Sequence, residues 1–410
     1  MVSILRKLVA LGLLIAIPAV PVYGAWVVQP SAEMKTSYDD NVRLSTEELE
    51  DAGFVNTAMI QARVANITET TQVSGVIAAS FVDYAQTRDT EDSDNLVLRF
   101  IADQRFERGS VGATVSAERD SVFRYAGIIT DPFSFQDESE IDRELNDLAD
   151  NAEDVDEAVI REQLERTRFG VAPQASYNIN SRTTASLRYQ YYEVQFDDED
   201  LANQFGAQDT ETQTATASMR RTLTERSSAT MSVSTTKFDP KQDAGSDAYE
   251  VNLGIDRQMS ERTSLRATIG VNRVSPDIGE DNDGNSGSLE ITHATNNGLL
   301  RASIRRSLYP SAYGEILESD MLQFSYRHRF SARFAASIGA NGISSSSNQG
   351  QSNQDRDFFA VNPEVVWAFS ENLQITAGYQ FTWNDRENES GDATSNALFL
   401  SFSYQPRSEI

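Results

Sequence analysis

The segment ENLQITAGYQFTWND, residues 371–385, decides the fold. Leu373, Ile375, Ala377, Tyr379, Phe381 and Trp383 fall on one side of an extended chain. Gln374, Thr376, Gly378, Gln380 and Thr382 fall on the other. Successive side chains of a strand point to opposite faces, so this spacing predicts a strand with one apolar and one polar face. The alternation recurs in TSLRATIGVNRV (263–274), where Leu265, Ala267, Ile269 and Val271 oppose Arg266, Thr268, Gly270 and Asn272. It recurs again in SDMLQFSYRHRF (319–330), with Leu322, Phe324, Tyr326 and Phe330 against Gln323, Ser325, Arg327 and Arg329.

The connections have a pattern of their own. Short polar turns stand at ITETTQ (67–72), FERGS (106–110), INSRTT (179–184), LTERSS (223–228), MSERTS (259–264), TNNGL (295–299), FSARF (330–334) and FSENL (369–373). Their Gly, Asn, Ser and Thr residues suit hairpins. Between them lie longer stretches rich in Asp, Gly, Ser and Asn, such as TRDTEDSDN, DPKQDAGSD, PDIGEDNDGNSG and SSSSNQGQSNQDRD. Eight short turns join sixteen strands. A first strand near 32–43 and a last near 393–404 bring the expectation to about eighteen, with sixteen as the alternative. The weakest strand signal is DTETQTATASMRR, which is Thr-rich with little apolar content.

Composition narrows the class. The chain has 410 residues, a formal charge of −27 and no cysteine, which excludes disulfides and thiolate metal sites. Residues 1–24 read as a secretory signal peptide: Arg6 and Lys7, then an apolar run from Leu8 to Ile17 stopped by Pro18. That run falls short of the roughly 20 apolar residues a spanning helix needs. A secreted chain without a later apolar helix can still enter a membrane as a closed barrel, because only alternate side chains must then be apolar. A soluble sandwich would need a domain boundary, and a solenoid a fixed repeat length. Neither is present. The expectation is therefore all-β: one transmembrane antiparallel barrel over 25–410, with short periplasmic turns, long external loops and both termini periplasmic.

MKTSYDDNVRLS (34–45) carries the motif Tyr38, Asp40, Asn41, Val42, and hairpin turns of the form [ST]-E-R-[ST] follow it. In these the chain resembles the beta-barrel porin-2 family. The resemblance implies an outer-membrane barrel of the kind associated with exopolysaccharide secretion, and polysaccharide export components as partners. It implies no catalytic residues.

Strand parity predicts which side chains face inward. Pore-lining candidates are Arg63, Arg99, Arg188, Arg220, Arg266, Arg301, Arg305, Arg327, Glu118 and Glu364, with Arg329, Asp103, Asp120, Glu250, Asp256 and Glu290 on the same parity. The wall would be slightly basic although the chain is acidic, so acid must concentrate in loops. EIDRELNDLADNAEDVDEAVIREQLERTRF (140–169) reads as an acidic helix inside the third external loop, 125–166. Ile141, Leu145, Leu148, Ala152, Val155 and Val159 form an apolar stripe at helical spacing, and Ser139 is placed to cap it. Fourteen acids between Asp131 and Arg166 face three arginines. Folded inward, Glu140, Asp142, Glu144, Asp147, Asp150, Asp154, Asp156 and Glu157 would constrict the lumen opposite the arginines. Folded outward, they would form an acidic lid.

Chemistry is sparse. The two histidines, His293 and His328, fall on the lipid-facing parity. GEDNDGNSG (279–287) lacks the sixth-position Gly and twelfth-position Glu of a calcium loop. No enzyme, cofactor, metal or nucleic-acid site is expected. Leu398, Leu400, Phe402 and Tyr404 end the last strand, and Phe402 and Tyr404 are candidates for the signal read by outer-membrane assembly machinery. Expected surroundings are outer-membrane lipid and lipopolysaccharide. The expected role is diffusive passage of small polar solutes or an exported polysaccharide. The alternative is a structural or adhesive barrel with a plugged lumen and partner-binding loops.

Overall fold

The computed structural model describes residues 26–46, 50–85, 87, 92–122, 164–204, 207–310, 316–347, 355–386 and 391–406. It contains eighteen strands in one sheet. They are β1 (Val27–Asp39), β2 (Gly53–Ile67), β3 (Thr71–Ala85), β4 (Ser93–Phe106), β5 (Gly109–Val122), β6 (Leu164–Asn180), β7 (Thr183–Phe196), β8 (Thr210–Thr224) and β9 (Ser227–Pro240). They continue with β10 (Ser246–Ser260), β11 (Thr263–Pro276), β12 (Asn282–Ala294), β13 (Gly298–Pro310), β14 (Ile316–Ser331), β15 (Phe334–Ser347), β16 (Arg356–Ala368), β17 (Leu373–Arg386) and β18 (Ala393–Tyr404). Among the described residues there is one helix, the six-residue α1 (Glu199–Gln204), between β7 and β8.

Every strand pairs antiparallel with its neighbours in sequence, and β1 pairs with β18 through Ala32↔Tyr404 to Asp39↔Ala397. That last pairing closes the ring and covers the sheet edges over residues 32–39 of β1. All eight predicted short turns join strands at one end, where β1 begins and β18 finishes. The sixteen-strand alternative falls. β8 is the Thr-rich segment with the weak signal. The first strand runs over Val27–Asp39 rather than 32–43, because the chain turns out of the sheet after Asp39.

The faces are inverted relative to a soluble protein. Ile269 is 72% exposed and Met34 68%, with Ile60, Phe81, Leu253, Leu322 and Leu398 also open to the outside. Ser74, Asn272, Asn341, Asn362, Thr382 and Ser395 are buried on the opposite face. On β10 the outward positions read Asp247, Tyr249, Val251, Leu253, Ile255, Arg257, and on β11 Arg273, Val271, Ile269, Ala267, Leu265. Four to five alternate apolar positions, ending in charge, suit a hydrocarbon belt about 25 Å tall.

Strands run past that belt at the long-connection end. There the outward face carries ion pairs: Arg119 with Glu165 and Asp197, Arg273 with Asp283, Lys237 with Asp239, and Arg306 with Asp320. The polar stretches read as long loops are correspondingly shorter. β12 already starts at Asn282, inside GEDNDGNSG, and β15 continues to Ser347. At the other end Tyr326, His328, Phe330 and Phe334 form a ladder of ring contacts, and Trp367 meets Phe369 at 5.4 Å. His293 Nδ1 lies 2.9 Å from the Thr263 hydroxyl on the same outward face.

Pro30, Pro173 and Pro363 stand inside strands, and the β1–β2 register runs unbroken past Pro30. The β6–β7 register passes from Val171↔Tyr191 to Gln174↔Arg188 across Pro173. The β16–β17 register passes from Val361↔Phe381 to Glu364↔Gly378 across Pro363. Proline has no N–H to donate, and the ladder skips at Pro173 and Pro363.

The predicted acidic helix needs one correction. Its last six residues, 164–169, are strand: β6 starts at Leu164 and pairs with β5 from Val122↔Leu164 onward. The loop assigned to 125–166 therefore ends before Leu164. Residues 123–163, with Glu140, Asp142, Glu144, Asp147, Asp150, Asp154, Asp156 and Glu157, lie outside the described residues, as does the signal segment 1–24.

Candidate functional site

The inner face is organised by height. Arg63, Arg188, Arg220, Arg266, Arg301, Arg327 and Glu364 share the face opposite the exposed apolar side chains. Each stands three to five residues from the short-turn end of its strand, and so do Asp103, Asp256 and Glu290. Hairpin turns at one rim thus place ten charges from ten strands at nearly one level. Asp256 is the hub of one arc: Arg266 Nε lies 2.7 Å away and Arg220 Nη2 3.5 Å, while Arg266 Nη1 reaches Glu290 at 3.6 Å. Glu364 is buried and accepts a 2.9 Å hydrogen bond from the Ser337 hydroxyl. Arg305 stands seven residues into β13, above this belt.

Arg99 and Glu118 belong to a second, higher group. Arg99 Nη2 meets Glu118 Oε1 at 2.8 Å, and Arg168 Nη2 meets Glu118 Oε2 at 2.8 Å and Asp120 Oδ2 at 3.0 Å. Arg166 Nε then meets Asp120 Oδ1 at 3.1 Å. Five charges of alternating sign climb β4, β5 and β6, three positive and two negative. Arg166 and Arg168 were missed from the sequence, because the helical reading ran through Phe169 and gave them no strand parity. The signal was present: Arg166, Arg168 and Gly170 alternate with Thr167, Phe169 and Val171.

Lys35 was missed for lack of a clear apolar face on β1. Its ammonium lies 4.4 Å from the centre of the inward Phe399 ring. Beside it, the Ser401 hydroxyl donates to Glu33 at 2.7 Å.

The wall from β8 to β12 is different. Between the lower belt and the long-connection end its inner positions are Thr212, Thr214, Thr216 and Ser218, then Thr230, Ser232, Ser234 and Thr236. Asn252, Gly254, Thr268, Gly270, Asn272, Gly284, Ser286 and Ser288 follow, with Glu250 the charge among them. Hydroxyls bond across strands: Thr214 to Thr236 at 3.0 Å and Thr268 to Ser288 at 2.6 Å. Asn252 lies across Gly270 and Asn272 across Gly284, each amide where a Cβ would otherwise project. Glycine here holds the side chain flat against the wall. On β2–β4 the inner face includes Met59, Val76, Val97 and Ile101, so the lumen is not uniformly polar.

Connections at the long-connection end fold inward. Leu201, Ala202 and Ala207 from the α1 connection pack on Leu164, Val194 and Phe196. Lys241 ties that connection to the next by bonding Asp209 and lying 3.5 Å from Glu199, and its hydrogen bond to Asp209 raises the ammonium above the ordinary lysine range. A separate apolar cluster joins Phe238, Val274 and Ile316. Among the described residues no group of His, Asp and Glu is arranged to hold a metal ion.

Comparison with known proteins adds the following. The family described as "Putative MetA-pathway of phenol degradation" matches residues 228–391, from β9 to the connection before β18. It is a different family from the beta-barrel porin-2 family that the opening motif resembles, and the polysaccharide link of that resemblance gains no support from it. No curated protein sequence matches the chain. Similar solved structures include the outer membrane protein opdK from Pseudomonas aeruginosa, at 10% identity, over 93% of this chain and 99% of that one, with a TM-score of 0.44. A BenF-like porin from Pseudomonas fluorescens Pf-5 has 11% identity over 92% and 99%, with a TM-score of 0.47. OccAB4 of Acinetobacter baumannii has 10% identity over 94% and 100%, with a TM-score of 0.47. No solute or pore geometry carries over at this distance. The architecture rests on this chain's own strand pairings.

Proposed function

We propose that the chain is an outer-membrane channel through which small polar solutes diffuse, with the short turns and both termini on the periplasmic side. The observation that carries this reading is the pairing of an apolar outer belt with an inner belt of charge on one closed ring. A soluble protein has no use for a circumferential apolar exterior, and a lipid-filled barrel has none for ten inward charges. Arg63, Arg188, Arg220, Arg266, Arg301 and Arg327 outnumber Asp103, Asp256, Glu290 and Glu364 at that level. A ring of net positive charge favours anions. Passage of an exported polysaccharide is a narrower form of the same reading. Phe402 and Tyr404, exposed on β18, suit the assembly signal.

A second reading is a plugged, structural barrel. The inward-folded α1 connection favours it. Planar-bilayer recording of the refolded, purified chain separates the two. Ohmic unit steps with an anion-favouring reversal potential are expected, whereas a folded barrel that stays silent would overturn the channel and leave the plugged barrel.

A further inference from the structure

The connection from β1 to β2 does not behave like a surface loop. Connections ordinarily run through water, yet Val42, Leu44 and Ser45 are almost fully buried. Leu44 packs with Met321, Ile343, Phe358, Ala360 and Ala393. All five partners lie on the inner face, on β14, β15, β16 and β18. The segment therefore crosses the β1–β18 seam and lies inside the mouth of the barrel.

Polar contacts hold it there. Asn41 Nδ2 donates to the carbonyls of Ser45 at 2.7 Å and Thr394 at 2.8 Å, and Asn41 Oδ1 accepts from the Ser45 N–H at 3.0 Å. Asp39 Oδ1 accepts from the Asn41 N–H at 2.9 Å and the Ser395 hydroxyl at 2.7 Å. A second, independent observation is backbone strain. Leu44 has φ 47°, in the left-handed region that a leucine rarely adopts. Such a conformation persists only where the surroundings over-determine it. Here an amide clamp on one side and an apolar socket on the other do so.

We propose that residues 41–45 form a resident constriction at the long-connection end of the pore, with Leu44 as its size-determining pin. The proposal rests on the channel reading above. The constriction is held by buried apolar contacts, the Asn41 clamp and backbone, with the half-buried Arg43 its one charged side chain, so Leu44 sets its size rather than its charge. The charged belt, at the far end of the strands, filters by sign. Two filters in series explain why Asp39 and Asn41 are spent on holding a loop rather than on lining the lumen.

The chain has no cysteine, so single thiols report cleanly. Leu44→Cys is expected to react with an impermeant maleimide at least ~10-fold more slowly than Glu50→Cys, which lies in the same connection but is exposed. Leu44→Gly tolerates the left-handed backbone but deletes the pin. It should raise unit conductance roughly 1.5-fold or more and admit larger neutral polymers, with ion selectivity unchanged. Heat-modifiable gel mobility checks that each variant has folded. Equal labelling of the two cysteines overturns the pin whatever the channel does. Slow labelling with unchanged conductance and polymer cut-off in Leu44→Gly overturns the constriction. A parent chain silent in bilayers overturns the channel reading and the constriction with it, while labelling still decides whether the segment is held.

Discussion

Two arcs of the same inner wall solve opposite problems. On β4–β6, Arg99, Glu118, Arg168, Asp120 and Arg166 alternate in sign and touch. On β8–β12, above the lower belt, Thr, Ser, Asn and Gly line the wall with Glu250 the charge among them. The first arc is rigid by necessity: each partly buried ion is tolerable only beside its partner. The second is forgiving, because a hydroxyl can turn to donate or accept and costs little to leave facing water. The lesson is that charge in this lumen is concentrated and mutually held, so single substitutions should differ greatly in effect from one arc to the other.

The largest effect is expected at the centre of the charged arc. Arg168→Met leaves Glu118 and Asp120 facing one another without their shared guanidinium. Glu118 keeps Arg99 and Asp120 keeps Arg166, so the cost is about 3 kcal/mol, the lower end for breaking a buried pair, read as an earlier urea midpoint of the detergent-folded barrel. A midpoint equal to the parent would show that the arc is solvated rather than mutually held. Next comes Gly270→Ala in the hydroxyl arc. A Cβ there would overlap Asn252 Oδ1 and come within 2.8 Å of the Val251 carbonyl oxygen. About 1–3 kcal/mol of overpacking is expected by the same measurement. If it is neutral, the Asn-over-Gly arrangement is not a tight fit.

Asp256→Asn should alter selectivity more than stability. It releases Arg220 and Arg266 from their shared carboxylate, so the anion-to-cation permeability ratio should rise roughly twofold, read from reversal potentials in a salt gradient. A fall would overturn the assignment of the lower belt as the charge filter. The smallest effect belongs to Thr216→Val, which removes one hydroxyl among many. Stability should stay within about 0.5 kcal/mol and selectivity should not move. A large change there would erase the contrast between the arcs.

Legibility in the sequence followed the apolar outer belt. Wherever one face is apolar and exposed and the other polar, alternation is sharp, as in 371–385, and β17 and β18 match their expected bounds closely. Beyond the belt both faces meet water, so Asn282–Gly287 and Ser344–Ser347 read as loop although they pair as strand. The same loss of contrast hid Arg166 and Arg168. Charge-rich sequence around 164–169 continued a helical rhythm, and only the partner β5 shows that the chain has become strand. The α1 connection and the β1–β2 connection carry no sequence signal for folding inward, and residues 41–43 were expected in the first strand. Their apolar residues are too few and too close together to carry a period.

What the sequence determined by itself was the count of hairpins, the alternation of faces and hence the inward parity of most of the arginines. These are local quantities, set by turn chemistry and by a two-residue repeat of apolar and polar side chains. What only the tertiary structure decided was which charges meet and which connections fold inward. Arg168 reaches Glu118 because β5 and β6 are in register, and Leu44 finds its socket on strands more than 270 residues away in the chain. Ring closure brings those distant strands together, and no local pattern encodes it.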